Sequence, residues 1–238
     1  MKTTVSRNRL LAGSFFRPQM VRKIITDYKR DIQMTRLTRI NFKPTISLDK
    51  LENTKLYSEE LGIQLRKAND EELFKWFLAS ILLGAPIQES VAKRTYHSFE
   101  KFDLFTPKKI LKAGWDYLVF TVMREGRYVR FDEKTSTQLL RNCKMLLEKY
   151  RGSLKRLILS SANTAEAESK LMEFYGIGPV RTNIFLRELR PFMKNCDPEP
   201  LPSVRQLARK AGIYLDKYKR RSITFIRIEA GLIRNRNI

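Results

Sequence analysis

The sequence predicts an all-α fold of about ten helices. Two observations carry this. Apolar residues recur at three- and four-residue spacing in one segment after another, the period of a helix with one buried face. No stretch alternates apolar and polar residues as a half-buried strand would, and no repeat or low-complexity tract appears. The segments are punctuated by glycine and proline in places where helices stop or start.

Residues 19–32 form the first expected helix, with Val21, Ile24, Ile25 and Tyr28 on one side. Residues 41–54 are less regular and are broken by Pro44. Asn69 caps a helix that runs to about Leu83. Its Leu73, Phe74, Trp76, Phe77, Ile81 and Leu82 leave little polar surface, so it belongs at the centre of a core. The stretch Gly84-Ala-Pro-Ile-Gln88 breaks the chain, and a helix follows to about Phe102 with Val91, Tyr96, Phe99 and Phe102 inward. Thr106-Pro107 starts a short helix that ends at Gly114, and Trp115 to Met123 make another. A turn rich in aromatic and basic residues spans 125–132. Asp132 then caps a helix with the stripe Leu139, Cys143, Leu146, Leu147 and Tyr150.

Residues 163–190 predict helix, tight turn, helix. Asn163 and Glu166 suit the start of the first helix as cap and capping-box partner. Ala167, Leu171, Phe174 and Tyr175 mark its buried side, and Gly176 ends it. Ile177 plugs the turn into the core. Pro179 opens the second helix, where Val180, Ile184 and Phe185 repeat. A turn of this kind leaves backbone N–H groups bare at the positive end of a helix dipole, which suits a phosphate, and Arg181 and Arg187 add charge. A plain αα-hairpin, whose glycines only satisfy the turn, accounts for the same spacing. Beyond it, four prolines between 191 and 202 make a stiff loop. A helix from Pro202 to Gly212 and a basic helix over about 216–233 complete the chain.

Charge narrows the partner. Lys and Arg outnumber Asp and Glu 47 to 25, a net of +22. Such a field implies a polyanion, nucleic acid before an acidic membrane. Residues 1–46 hold eleven basic residues against two acids, and 203–238 hold ten against two, so the ends carry +17 of the net charge. Two basic ends around a near-neutral middle fit one basic lobe built from both termini, although a solvated face or arm would also carry such charge. No run reaches the length of a membrane span. The apolar patch at 10–16 is interrupted by Arg17 and makes no secretory signal, while the acid-free start to Thr26 also suits an organelle presequence. Two cysteines, Cys143 and Cys196, are too few for a disulfide framework, a four-cysteine zinc site or an iron–sulfur cluster, and they fit reduced, intracellular chemistry. His97, the only histidine, shares a polar helix face with Lys93, Arg94 and Lys101 and cannot make a metal site alone.

The turn Gly176-Ile-Gly178, with Asn183 in the helix after it, resembles the helix-hairpin-helix of the endonuclease III-like DNA glycosylases. Asp197, in Phe192-Met-Lys-Asn-Cys-Asp-Pro, fills the place of that family's catalytic aspartate, and residues 142–152 are similar to its helix two elements earlier. The likeness covers roughly residues 71–212. It implies a two-lobed bundle, with residues 1–85 and 196–238 in a basic lobe, residues 86–195 in the other, the hairpin at about 164–190 and a cleft between the lobes.

The function it implies is a DNA glycosylase that swings a damaged, modified or mismatched base out of the duplex and hydrolyses its glycosidic bond. The lyase lysine of bifunctional members is replaced by Val180, the usual Thr-Ala pair by Arg181-Thr182, and the four-cysteine cluster is absent. Lys194 is out of register and suits a solvated loop. The expected enzyme is therefore monofunctional and monomeric, inside the cell at the DNA, with double-stranded DNA as partner, no membrane and no metal or organic cofactor.

Asp197 would stabilise the cationic sugar of an oxocarbenium-like transition state, with Pro198 restricting its backbone; an Asp-Pro turn or helix cap is the plainer alternative. Gly176, Ile177, Gly178, Val180 and Arg181 would hold the backbone. Gln88, with Ile87 as an apolar alternative, would fill the gap left by the base. Trp115, Tyr128 and Phe131 are candidates for a base pocket, or simply core aromatics. The rival from another class is a non-catalytic protein that binds DNA or recognises its structure; an RNA-binding helical protein rests on charge alone.

Overall fold

The computed structural model describes residues 46–235. The helix expected at residues 19–32 lies outside the described residues. Among those described the fold is all-α, with eleven α-helices and no strand. They are α1 (Leu48–Glu52), α2 (Tyr57–Glu60), α3 (Asp70–Leu83), α4 (Glu89–Lys101), α5 (Pro107–Tyr117), α6 (Asp132–Tyr150), α7 (Leu154–Leu159), α8 (Thr164–Met172), α9 (Pro179–Arg187), α10 (Pro202–Lys210) and α11 (Ile223–Arg234).

Local chemistry sets most boundaries. Asn69 Oδ1 accepts the Glu72 N–H at 2.9 Å, and Asn163 Oδ1 accepts the Glu166 N–H at 3.0 Å. Glu166 turns back to the N–H of Ala162, not to that of Asn163, so the expected capping box closes one residue early. Gly114 interrupts α5 at φ 76, and a π-helical stretch, Leu118–Met123, carries the chain on. Three expectations shift. Phe131, not Asp132, is the cap of α6. A six-residue helix, α7, stands where the sequence pattern predicts none; it follows the left-handed Arg151 and the cap Ser153. The last helix begins at Ile223, capped by Ser222, instead of at 216.

Helix α3 is the hub of the larger core. Its Leu73, Trp76, Leu78, Ile81 and Leu82 have no exposed surface. The Trp76 indole N–H donates to the Phe185 carbonyl at 2.8 Å, and the Phe77 ring meets Phe174 and Phe185 edge-on. These contacts dock the α8–α9 pair onto α3. Ile177, 5% exposed, seats the turn as expected, whereas Tyr175 is exposed and lies under the Arg141 guanidinium. The expected boundary at residue 85 thus puts α3 with the termini, while its side chains lie in the core shared with α4–α9.

A second, smaller core joins Ile46 and Leu51 to Val204, Ala208, Ala211, Ile228 and Leu232. Gly231 permits this closeness: a Cβ there would stand 2.6 Å from Leu51 Cδ2. Ion pairs link the two cores. Arg190 and Glu229 pair with both side chains enclosed, and Arg234 pairs with Glu60 at 2.9 Å.

Candidate nucleic-acid interface

The turn between α8 and α9 is built by two glycines with different tasks. Gly176 has φ +70, and a Cβ there would lie 2.9 Å from Gln138 Nε2. Gly178 has an ordinary φ of −104 and caps α9; nothing stands within 4 Å of a Cβ added there. The first backbone bond of α9 runs from Thr182 N–H to the Gly178 carbonyl at 3.0 Å, so the N–H groups of Val180 and Arg181 precede it. Pro179 has none to spend. Val180, expected on the apolar stripe, is instead 52% exposed beside the turn.

Arg181 lies along this turn. Its Nη1 donates to the Gly176 carbonyl at 2.6 Å and to Gln138 Oε1 at 3.3 Å. Its Nε is buried with no partner, as is Nε2 of Gln138, a side chain only 3% exposed. No carboxylate among the described residues pairs with Arg181, and burial lowers its pKa. A cavity of about 350 Å³ opens here, lined by Pro86, Phe131, Lys134, Gln138, Gly178 and Arg181 among others. Of the expected pocket aromatics, Phe131 stands in this wall.

A second cavity, about 700 Å³, shares Ala85 and Pro86 with the first. Gln88 lines it, exposed at the cap of α4 with no capping bond from its side chain. Tyr128 reaches its wall but is 1% exposed, with its hydroxyl 3.1 Å from Thr135 Oγ1, so it is a core residue. Trp115 lines neither cavity and donates to Thr137 Oγ1 at 3.0 Å.

Asp197 stands elsewhere. Its N–H donates to Thr164 Oγ1, at the start of α8, at 3.2 Å. Its Oδ1 lies 3.1 Å from Arg190 Nε and 2.8 Å from Arg220 Nε, without an aligned hydrogen bond, and its Oδ2 accepts Arg220 Nη2 at 3.0 Å. These contacts put it at the open end of the hairpin, where α8 begins and α9 has ended. The turn is at the other end of α9, whose nine residues span about 14 Å. Asp197 lines neither of these cavities. Lys194 is exposed nearby, and its carbonyl accepts Arg221 at 2.9 Å.

No protein-family model, curated protein or solved structure matches this chain.

Cys143 and Cys196 are both buried, and burial pushes both thiols up, that of Cys196 to about 12. No helix among the described residues is long and apolar enough to cross a membrane. Glu89, Tyr57 and Arg234 also line the second cavity, and no sequence motif singles them out. Tyr57 and Arg234 are far apart in sequence, so no local spacing marks the group.

Proposed function

We propose that this protein binds double-stranded DNA through the α8–α9 turn and receives a nucleotide swung out of the duplex in the adjoining cleft. Arg181 carries the reading: a half-buried guanidinium with no acidic partner among the described residues, in the first turn of a helix, beside the unpaired amide nitrogen of Gln138. Burying a cation costs free energy unless an anion answers it. Free N–H groups of α9 converge on the same place, and Lys134 stands at its rim. A phosphate at the start of α9, with Lys134 beside it, would answer this charge. The overall charge of +22 favours a polyanion carrying many such groups. Contacts of this kind fix the backbone and read no base.

Fluorescence anisotropy of a labelled duplex, titrated at several salt concentrations, tests this reading. Tight binding that weakens steeply with salt is expected. Absence of binding, or affinity indifferent to salt, overturns it.

Base excision is the second reading, favoured by the roomy cavity beside the turn and by the likeness to endonuclease III-like glycosylases. Water would be the nucleophile, since Val180 replaces the lyase lysine. The ion-paired Asp197 gives this chemistry little support, because its charge is already answered by two guanidinium groups. Incubation with duplexes carrying deaminated, alkylated, oxidised or mismatched bases, followed by alkali, separates the readings. Strand breaks only after alkali favour hydrolysis; intact strands despite tight binding favour the non-catalytic protein.

A further inference from the structure

The 700 Å³ cavity has a fixed carboxylate in its lining. Tyr57, on α2, donates its hydroxyl to Glu89 Oε2 at 2.7 Å. Lys93 donates to Glu89 Oε1 and lies 2.5 Å from Glu60. Arg234, at the end of α11, grips Glu60 through two N–H groups at 3.0 and 2.9 Å and lies 4.0 Å over the Tyr57 ring. Tyr57 of α2 and Lys93 of α4 therefore hold the Glu89 carboxylate in one orientation, and Arg234 of α11 braces Tyr57 and Glu60 beside it.

That carboxylate is still open to a ligand. Each of its oxygens has one protein partner and retains a second lone pair. The Glu89 side chain is 39% exposed. Burial works against its charge, but the bonds from Lys93 and Tyr57 outweigh this and hold its pKa below the ordinary value. Burial pushes the Tyr57 hydroxyl up to about 12, so it remains a donor. Glu89 is thus an acceptor at both oxygens. Beside apolar residues such as Ile87 and Val91, donors also line the space: the free amide of Gln88, and Arg127 and Arg130, both exposed and in no ion pair among the described residues.

A carboxylate that accepts at both oxygens matches two adjacent N–H groups. Among the four DNA bases only guanine presents such a pair, N1–H and N2–H, and its O6 and N7 suit an arginine. Adenine and cytosine set ring acceptors beside their single amino group, and thymine flanks one N–H with two carbonyls. An ionised carboxylate repels those acceptors.

We propose that the cavity between α2, α4 and α11 is a pocket for an extruded guanine, with Glu89 accepting from its N1–H and N2–H groups and Arg127 or Arg130 donating to O6 and N7. This rests on the reading that the protein binds duplex DNA.

The test uses five labelled duplexes with the same flanks: one fully paired, and four with a single unpaired G, A, C or T. The full chain is titrated by anisotropy at one salt concentration. The unpaired G duplex should bind about tenfold more tightly than the other four. Glu89→Gln replaces one acceptor with a donor, so the preference should fall below threefold while the paired duplex binds as before. Tyr57→Phe frees the carboxylate to turn and should also reduce the preference; it carries the test if Glu89→Gln does not fold, as judged by circular dichroism. Equal affinity for the four unpaired bases, or a preference that survives in the folded variants, overturns the pocket alone. Failure to bind any duplex overturns the DNA reading and the pocket with it.

Discussion

The Asp197 carboxylate is held by the Arg220 guanidinium, with Nε 2.8 Å from Oδ1 and Nη2 donating to Oδ2 at 3.0 Å. The pair ties the loop after α9 to the stretch before α11. Arg190, enclosed beside it, meets the same carboxylate and also pairs with Glu229 and donates to the Pro198 carbonyl at 2.6 Å. Asp197 therefore anchors the start of the smaller core to the end of the hairpin.

Asp197→Asn should lower stability by about 1–3 kcal/mol, because Arg190 loses one of its charged partners while buried. Urea unfolding followed by circular dichroism measures this. Duplex affinity should hold in the folded variant. If stability is unchanged but release of a base is abolished, Asp197 acts on substrate and the anchoring role is wrong. Arg220→Ala should mimic the stability loss.

The two glycines of the turn should separate binding from folding. Gly178→Leu puts a side chain into open space where a phosphate would approach, so duplex affinity should fall about tenfold with no loss of stability. Gly176→Ala forces a Cβ into the left-handed region and against Gln138, which should cost about 1–2 kcal/mol of stability. A Gly178 variant with full affinity for every duplex would take the turn out of the interface.

Arg181→Gln removes the cation but keeps polar atoms near the Gly176 carbonyl. The slope of log affinity against log salt should become shallower by about 0.9, the share of one phosphate contact. An unchanged slope would mean that Arg181 only braces the turn.

Glu188 offers a pH test of the core. It is wholly buried, accepts the Ser58 N–H at 3.1 Å, and burial raises its pKa despite the charge of Arg187. A carboxyl with a raised folded pKa contributes most below its unfolded pKa, and the contribution is lost as pH rises through the folded value. Glu188→Gln lacks that titration. The stability difference between variant and wild type should move in favour of the variant as pH rises from 4 towards 7. A difference that stays constant with pH would show that Glu188 does not titrate differently on folding.

Much of the secondary structure was determined by the sequence alone, because its causes are local. The Asn69 and Asn163 caps, the break at Gly114, the Gly176 turn and the buried Ile177 depend on residues within a few positions of one another. The apolar residues on nearly every side of α3 marked it as a central helix for the same reason. The tertiary structure decided what the charged and aromatic side chains do. Asp197 meets Arg220 across 23 residues, and Arg190 meets Glu229 across 39. Tyr128 turned inward to Thr135, and Glu89 was fixed by Tyr57 from 32 residues away. A carboxylate's role depends on which cation reaches it, and that is set when separate helices pack, not by its neighbours along the chain.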